Sequence, residues 1–104
     1  MAADHPEWII TPQELKLEMD KVVLVDVREP EEYAQSRIEG CQLIPLGEIQ
    51  TRGPQELTKD ADTVIYCAHG VRSMHALLAL KRLGFTRLRS LEGGICAWQD
   101  FTKV

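Results

Sequence analysis

A chain of 104 residues with 44% hydrophobic and 27% charged residues can bury one core and is too short for two ordinary domains, so we predict a single domain over residues 1–104. Its net charge of −4 argues against a nucleic-acid-binding protein, and no apolar run approaches the roughly 20 residues that a membrane span needs. The three cysteines have unrelated spacings, which argues against a disulfide framework. Residues 1–8 contain no signal-peptide core, so we expect a cytoplasmic location.

The amino-terminal third of the chain predicts a strand, a capped helix and a second strand. Residues 8–10 form a short apolar run that is typical of a brief strand. Thr11 and Glu14 match a capping box and Pro12 suits the first helical position, so a helix should begin there. The nearly continuous β-branched run over 22–27 indicates a strand covered on both faces, as in a parallel sheet.

The middle of the chain predicts short helices around one short strand. Acidic residues in the segment 29–33 favour a helix start, where the helix dipole attracts negative charge. The segment 41–45 is typical of a short strand that is stopped by its final proline. Residues 46–58 then suggest one or two short helices, broken at Gly53 and Pro54.

The carboxyl-terminal half predicts two further strands, the first followed by a helix and the second by a turn at Gly93 and Gly94 and a closing segment. Residues 63–67 form a second buried-strand pattern, and residues 68–72 form a short loop. Ser73 is the predicted cap of a helix that ends at Gly84. A last strand is expected over 88–91. Strands that alternate with helices indicate an α/β fold with a parallel sheet.

The loop after the second buried strand carries the strongest functional signal. Cys67 ends that strand, at the edge where open α/β sheets bind ligands. A helix start and the nearby Arg72 should lower the pKa of a cysteine there and favour the nucleophilic thiolate. Gly70 lets successive backbone N–H groups turn inward, and Arg72 adds a planar cationic fork. The pattern therefore predicts a nucleophile inside an anion-binding cradle.

Other interpretations of the same residues stay open at this point. Cys67 alone also fits a small buried core residue. His69 is either an acid–base group or a residue that only shapes the entrance, and His75 suits packing or the surface. A metal site built from these three residues would lack the second ligand pair that structural zinc needs, so no metal is expected.

Thiolate cradles serve two chemistries, sulfur transfer and phosphate-ester hydrolysis. A bound phosphate needs room for a tetrahedral dianion. The phosphatase signature is longer than the stretch from Cys67 to Arg72, in which four residues separate the cysteine from the arginine. The shorter loop favours an object about the size of one sulfur atom.

Four motifs in this order resemble those of the rhodanese family of sulfurtransferases, over essentially the whole chain. They are LVDVREPEEY at 24–33, IEGCQLIP at 38–45, CAHGVRS at 67–73 and LEGGICAW at 91–98. Two positions outside the loop depart from the usual family pattern, Arg37 where histidine is common and Cys41 where alanine is common. The chain carries one such domain, whereas the longer enzymes of the family carry a tandem pair.

The resemblance implies a five-stranded parallel sheet with helices on both faces. It also implies a thiosulfate:cyanide sulfurtransferase-type enzyme in which Cys67 carries a persulfide. Neither a metal nor an organic cofactor is implied. The partners would be a small-molecule donor such as thiosulfate or a persulfide, a thiophilic acceptor and, in a relay, a sulfur-carrying protein. The expected substrate-binding residues are Ala68, His69, Gly70, Val71, Arg72 and Arg28.

Outside the loop, Arg28 and Cys96 have two interpretations each, and Cys41 has one. Arg28 either pairs with a carboxylate in a structural role, with Asp26 bonding loop backbone, or rims the pocket and attracts an anionic donor. Cys41 and Cys96 are expected to be buried structural thiols, with a resolving role for Cys96 as the alternative.

Three rival functions follow from the same scaffold. One is a phosphatase or arsenate reductase, against which the loop length counts. Another is a non-catalytic docking module for a partner protein, against which the intact Cys67, Gly70 and Arg72 count. The third is a persulfide carrier loaded by a cysteine desulfurase, which the sequence does not separate from a small-molecule enzyme.

Overall fold

The computed structural model describes residues 5–103. The prediction that residues 1–8 contain no signal-peptide core therefore falls partly outside the described residues. Five strands form one parallel sheet in the order β1-β5-β4-β2-β3. The strands are β1 (Ile9–Ile10), β2 (Val23–Asp26), β3 (Gln42–Leu43), β4 (Thr63–Tyr66) and β5 (Leu88–Leu91). The helices are α1 (Pro12–Glu18), α2 (Pro30–Gln35), α3 (Ile49–Glu56), α4 (Val71–Arg82) and α5 (Gly94–Thr102), with a 3₁₀ turn (Leu46–Glu48) before α3.

The alternation of side chains along β2 and β4 divides the interior into two cores. Val25 and Ile65 point to the face covered by α3 and α4, whereas Leu24 and Val64 point to the face covered by α1 and α5. Neighbouring positions on one strand thus feed opposite cores, as the period of a pleated strand requires. The predicted α/β class, with helices on both faces of a five-stranded parallel sheet, is confirmed.

The start of α1 follows the predicted capping box. The Glu14 backbone N–H donates to Thr11 Oγ1 at 3.2 Å, and the Thr11 N–H donates to Glu14 Oε1 at 2.9 Å. Pro12 occupies the first helical turn, where its missing N–H leaves no intrahelical bond unmade. The helix end predicted at Gly84 is also confirmed, because α4 ends at Arg82 and Gly84 has a φ of +98°.

The predicted break at Gly53 and Pro54 is wrong, because α3 runs through both residues. The interruption lies earlier, where the 3₁₀ turn ends at Glu48 and α3 begins at Ile49. Gly53 is retained in the helix by packing, since a Cβ there would lie 2.8 Å from Leu80 Cδ2 on α4. Tertiary packing of this close helix pair therefore outweighs the helix-breaking tendency of the Gly-Pro pair.

The architecture places three strand ends together. β4 lies between β2 and β5, so the residues that follow Tyr66, Asp26 and Leu91 meet at the carboxyl edge of the sheet. Among residues 5–103, no helix is both long and apolar enough to cross a membrane.

Candidate active site

Cys67 follows the central strand β4 directly and opens a tight loop at the carboxyl edge of the sheet. The loop is shorter than predicted, because α4 begins at Val71 and Arg72 belongs to its first turn. Gly70 precedes the helix with a φ of +108°, a conformation that favours glycine. This bend turns the chain back so that the start of α4 faces the cysteine.

Backbone N–H groups converge on the Cys67 sulfur. The Gly70 N–H donates to Sγ at 3.1 Å, and the Ser73 N–H donates to it at 3.3 Å. The side chain is only 1% exposed, yet its polar partners surround the sulfur instead of turning away from it. A buried sulfur held by amides at the start of a twelve-residue helix is stabilised as an anion.

Two buried hydroxyls extend this contact, and the sequence did not predict them. Ser73 Oγ lies 3.5 Å from Cys67 Sγ and 2.7 Å from Ser90 Oγ on β5. The prediction that Ser73 caps α4 is wrong, because Gly70 occupies the cap position and Ser73 lies inside the first turn. When the thiol is ionised, Ser90 donates to Ser73 and Ser73 donates to the sulfur, so the pair of hydroxyls orients toward the negative charge.

The pKa of Cys67 is lowered from the usual value of a thiol. Burial alone would raise it, but hydrogen bonds from the Ser73 hydroxyl and from the backbone N–H groups of Ser73, Gly70 and His69 outweigh burial. Stabilisation of the anion therefore comes mainly from fixed dipoles. The thiolate is the nucleophilic form of cysteine, so the surroundings of Cys67 suit a reactive residue more than an inert core residue.

We expect Ser73→Ala to raise the pKa of Cys67, because the variant removes one donor to the thiolate. At pH values below the pKa of both proteins, the thiolate fraction should be about tenfold lower in the variant, the size of one hydrogen bond to a charged group. The measurement is the alkylation rate of Cys67 against pH, followed by peptide-resolved mass spectrometry.

The alkylation rate of Cys67 should increase with pH, because the thiol must lose its proton to react. The alkylation rate rises as pH passes the pKa and then levels off, so the Ser73→Ala profile should reach its plateau at higher pH than the wild-type profile. The exposed Ser36 provides the control variant Ser36→Ala, which should match the wild type. Coincident profiles for Ser73→Ala and wild type would remove the hydroxyl from this role.

The amino-terminal end of α5 supports the loop from the opposite side. The Ile95 N–H donates to the Cys67 carbonyl at 2.9 Å, and the Cys96 N–H donates to the Ala68 carbonyl at 3.2 Å. Gly94 has a φ of +62°, and a Cβ there would collide with the Cys67 and Ala68 carbonyl oxygens. The glycine pair of the last motif therefore allows close approach of backbone to the cysteine loop.

Arg72, predicted to add a cationic fork to the cradle, is paired with a carboxylate in the structure. Its NH1 and NH2 groups donate to the two carboxylate oxygens of Glu32 on α2, at 2.8 and 2.9 Å. This bidentate pair, with a smaller contribution from the Glu29 backbone, lowers the pKa of Glu32 to about 2, so the carboxylate is charged at any physiological pH. Sequence reasoning did not single out Glu32, because a glutamate in the first turn of α2 equally suits the capping box of that helix.

The geometry of Arg28 fits the first of its two interpretations, a structural ion pair with a carboxylate. The residue is 4% exposed, and its Nε and NH2 groups donate to the Asp26 carboxylate at 2.8 to 3.2 Å. NH2 also donates to the Ser36 carbonyl at 2.6 Å, and the guanidinium lies over the Tyr66 ring. The expectation that Arg28 rims the pocket therefore lacks support in this geometry, and we leave Arg28 out of the proposed site.

The remaining loop side chains form the entrance. Val71 is 66% exposed, His69 is exposed and Ala68 is half-buried. His69 Nε2 lies 4.0 Å from Cys96 Sγ, and no polar contact joins its ring to the Cys67 sulfur in the described part of the chain. The side chains of these three residues thus shape the surroundings of the sulfur, while backbone groups bind it.

The other two cysteines are free, and neither is fully buried as expected. Cys96 is half-buried beside His69, and Cys41 is half-buried with its sulfur 3.3 Å from the Tyr66 hydroxyl. Burial raises the pKa of Cys41, so it remains a neutral thiol. Across residues 5–103, histidine, cysteine and carboxylate side chains form no group of three or more that could hold a metal ion.

Comparison with known proteins identifies the family. Residues 11–101 match the model of the rhodanese-like domain. The chain is 43% identical over 79 residues to a sulfurtransferase of Allochromatium vinosum, which covers 76% of this chain and 73% of that protein. It is also 45% identical over 93 residues to the probable adenylyltransferase/sulfurtransferase MoeZ of Mycobacterium tuberculosis. This alignment covers 86% of this chain but only 24% of MoeZ.

The fold comparison agrees with the sequence comparison. The crystal structure of a rhodanese-related protein from Thermoplasma volcanium superposes with a TM-score of 0.84 and 31% identity, covering 90% of this chain and 92% of that one. This chain belongs to the rhodanese-like domain family.

Proposed function

We propose that the protein is a sulfurtransferase that carries a sulfane sulfur as a persulfide on Cys67. The observation that carries the proposal is the pair of backbone N–H groups, from Gly70 and Ser73, that donate to the Cys67 sulfur. They stabilise the thiolate that attacks and the same thiolate when it leaves. Relatives named as sulfurtransferases support this assignment.

The proposed reaction has two half-reactions. The Cys67 thiolate attacks the outer sulfur of thiosulfate; the S–S bond of the donor breaks, sulfite leaves and Cys67 becomes a persulfide. A thiophilic acceptor, cyanide in an assay or a thiol in the cell, then attacks the outer sulfur of the persulfide. The second attack forms thiocyanate or a new persulfide and restores the Cys67 thiolate. Both steps release product before the next substrate binds, so ping-pong kinetics are expected.

The site is better suited to sulfur than to phosphate. A phosphate dianion needs several donors around three equatorial oxygens and a cation beside them. Here the loop amides contact the sulfur itself, and the cation Arg72 is engaged by Glu32. We therefore favour sulfur transfer over a phosphatase or arsenate reductase on the same fold.

A persulfide carrier is the second candidate, favoured by a relative from Bacillus subtilis that is named a putative sulfur carrier protein. A carrier would use the same Cys67 chemistry and would differ in receiving sulfur from a protein donor. The free state of all three cysteines suits a reducing compartment such as the cytoplasm. A purely non-catalytic docking module would have no need for amides directed at a lowered-pKa thiol.

Intact-mass spectrometry tests the proposal directly. Incubation with thiosulfate or with an alkyl persulfide should add the mass of one sulfur atom to the protein, and cyanide should remove it with formation of thiocyanate. Peptide mapping should place the added sulfur on Cys67 and leave Cys41 and Cys96 unmodified. Absence of the added mass with every donor would reject both sulfurtransferase and carrier.

A further inference from the structure

The entrance to the Cys67 loop carries no uncompensated positive charge from either nearby arginine. Arg72 is paired in bidentate fashion with Glu32, and Arg28 is buried against Asp26. Glu29, at the amino-terminal end of α2, lies close enough to Arg72 to help raise the pKa of its guanidinium, behind the larger effect of Glu32. Arg72 therefore binds one carboxylate and lies near a second acidic residue, next to the Cys67 sulfur.

This charge arrangement bears on the donor. Thiosulfate is a dianion, and a site that binds it well places an unpaired cation near the sulfonate oxygens. The Arg72 fork has its planar donor edge turned to the Glu32 carboxylate, so that edge is occupied. The apolar Val71, at the start of α4, is 66% exposed beside this pair. A donor with less charge meets less repulsion here.

We infer that Glu32 sets donor specificity by neutralising Arg72, so that the Cys67 site takes monoanionic sulfane-sulfur donors in preference to the thiosulfate dianion. Persulfides of cysteine thiols are the biological donors of this class. The inference rests on the proposed function, since it concerns which donor loads Cys67. It narrows the donor left open between thiosulfate and a persulfide.

The loading step balances for each donor. With an alkyl persulfide, the Cys67 thiolate attacks the outer sulfur, the S–S bond breaks and the donor thiolate leaves. With methanethiosulfonate, the same attack breaks the bond between the two sulfurs and releases methanesulfinate. Methanethiosulfonate resembles thiosulfate in size and carries one negative charge fewer, so the two compounds isolate the effect of charge.

The central variant is Glu32→Gln, which leaves Arg72 positively charged without its anionic partner. The fold should tolerate it, because Glu32 completes a capping box with Glu29 and glutamine serves at that position as well as glutamate. We expect kcat/KM for thiosulfate to rise about tenfold relative to that for methanethiosulfonate, mainly through KM. The unpaired Arg72 charge would attract the additional negative charge that thiosulfate carries, and such an attraction at the protein surface has an effect of this order.

Two further variants test the pair as a unit. Arg72→Gln leaves Glu32 as an unpaired anion, so the preference for methanethiosulfonate should increase several-fold. The double variant with Arg72→Gln and Glu32→Gln removes both charges and should return the preference to the wild-type value. Glu31→Gln is the matched control, since Glu31 is the exposed neighbour of Glu32 on α2; it should leave the donor preference unchanged within about twofold.

The outcomes separate this inference from the proposed function. If wild type gains sulfur from neither donor, the proposed function fails. If wild type is loaded but Glu32→Gln shows the same ratio of thiosulfate to methanethiosulfonate efficiency as wild type, the specificity inference is overturned. It is overturned as well if the double variant uses thiosulfate as poorly as Arg72→Gln, because Arg72 would then bind the dianion directly. This second comparison stands even if Glu32→Gln alone proves too unstable to assay.

Discussion

Cys67→Ser is expected to reduce sulfur transfer by more than about a thousandfold, to the uncatalysed background, because a serine hydroxyl is not ionised at neutral pH and forms no persulfide. The fold should survive, since the smaller oxygen still accepts from the Gly70 and Ser73 N–H groups that contact the sulfur. The measurement combines the thiocyanate assay with intact mass after donor treatment. The variant should gain no sulfur.

Cys96→Ser is the matched control for Cys67→Ser, because it removes a different thiol at the same carboxyl edge of the sheet. Cys96 lies beside His69 at the entrance, and a resolving role was its alternative interpretation. We expect this variant to load and release sulfur as the wild type does. Retained transfer in Cys67→Ser would contradict the mechanism, and loss of transfer in Cys96→Ser would assign the second cysteine a part in it.

Gly94→Ala is expected to lower the free energy of unfolding by about 3 kcal/mol or more, a large share of the stability of a small domain. A positive φ costs a non-glycine residue roughly 1–2 kcal/mol, and overlap with fixed atoms adds about 1–3 kcal/mol. The overlapping atoms are the Cys67 and Ala68 carbonyl oxygens, so relief of the clash requires the cysteine loop to move. Chemical denaturation measures the loss of stability, and the alkylation profile of Cys67 measures the displacement of the cysteine loop.

Gly47→Ala provides the control for a glycine without such constraints. Gly47 lies in the 3₁₀ turn, where a Cβ would meet nothing within 4 Å, so its stability should change by less than about 1 kcal/mol. If Gly94→Ala were as stable as Gly47→Ala, the close approach of α5 to the loop would not be a structural requirement.

Much of the fold was predictable because its signals are local. The β-branched runs of β2 and β4, the capping box of α1 and the stop at Gly84 each depend on a few adjacent residues. The cysteine at the end of β4 was predictable for the same reason. Gly53 shows the limit of local signals, since its packing against Leu80 decides that α3 continues.

The details of the site depended on contacts between distant segments. Ser73 looks like a helix cap in sequence, but its hydroxyl lies between Cys67 and Ser90, which β5 brings in from 17 residues away. Arg72 was expected to add a cation to the cradle, but Glu32, which lies 40 residues earlier, pairs with it only in the folded chain. Such pairings follow from the sheet order, which the sequence pattern leaves undetermined.

Main-chain atoms provide most of the contacts that define the cysteine environment. Amides of Gly70 and Ser73 hold the sulfur, and amides of Ile95 and Cys96 hold the carbonyls behind it. Side chains at Ala68, His69 and Val71 can therefore be exchanged during evolution while the reactive centre stays intact. Under the proposed function, substitutions at those three positions are expected to change which donors and acceptors are used while the hydrogen bonds to the sulfur stay in place.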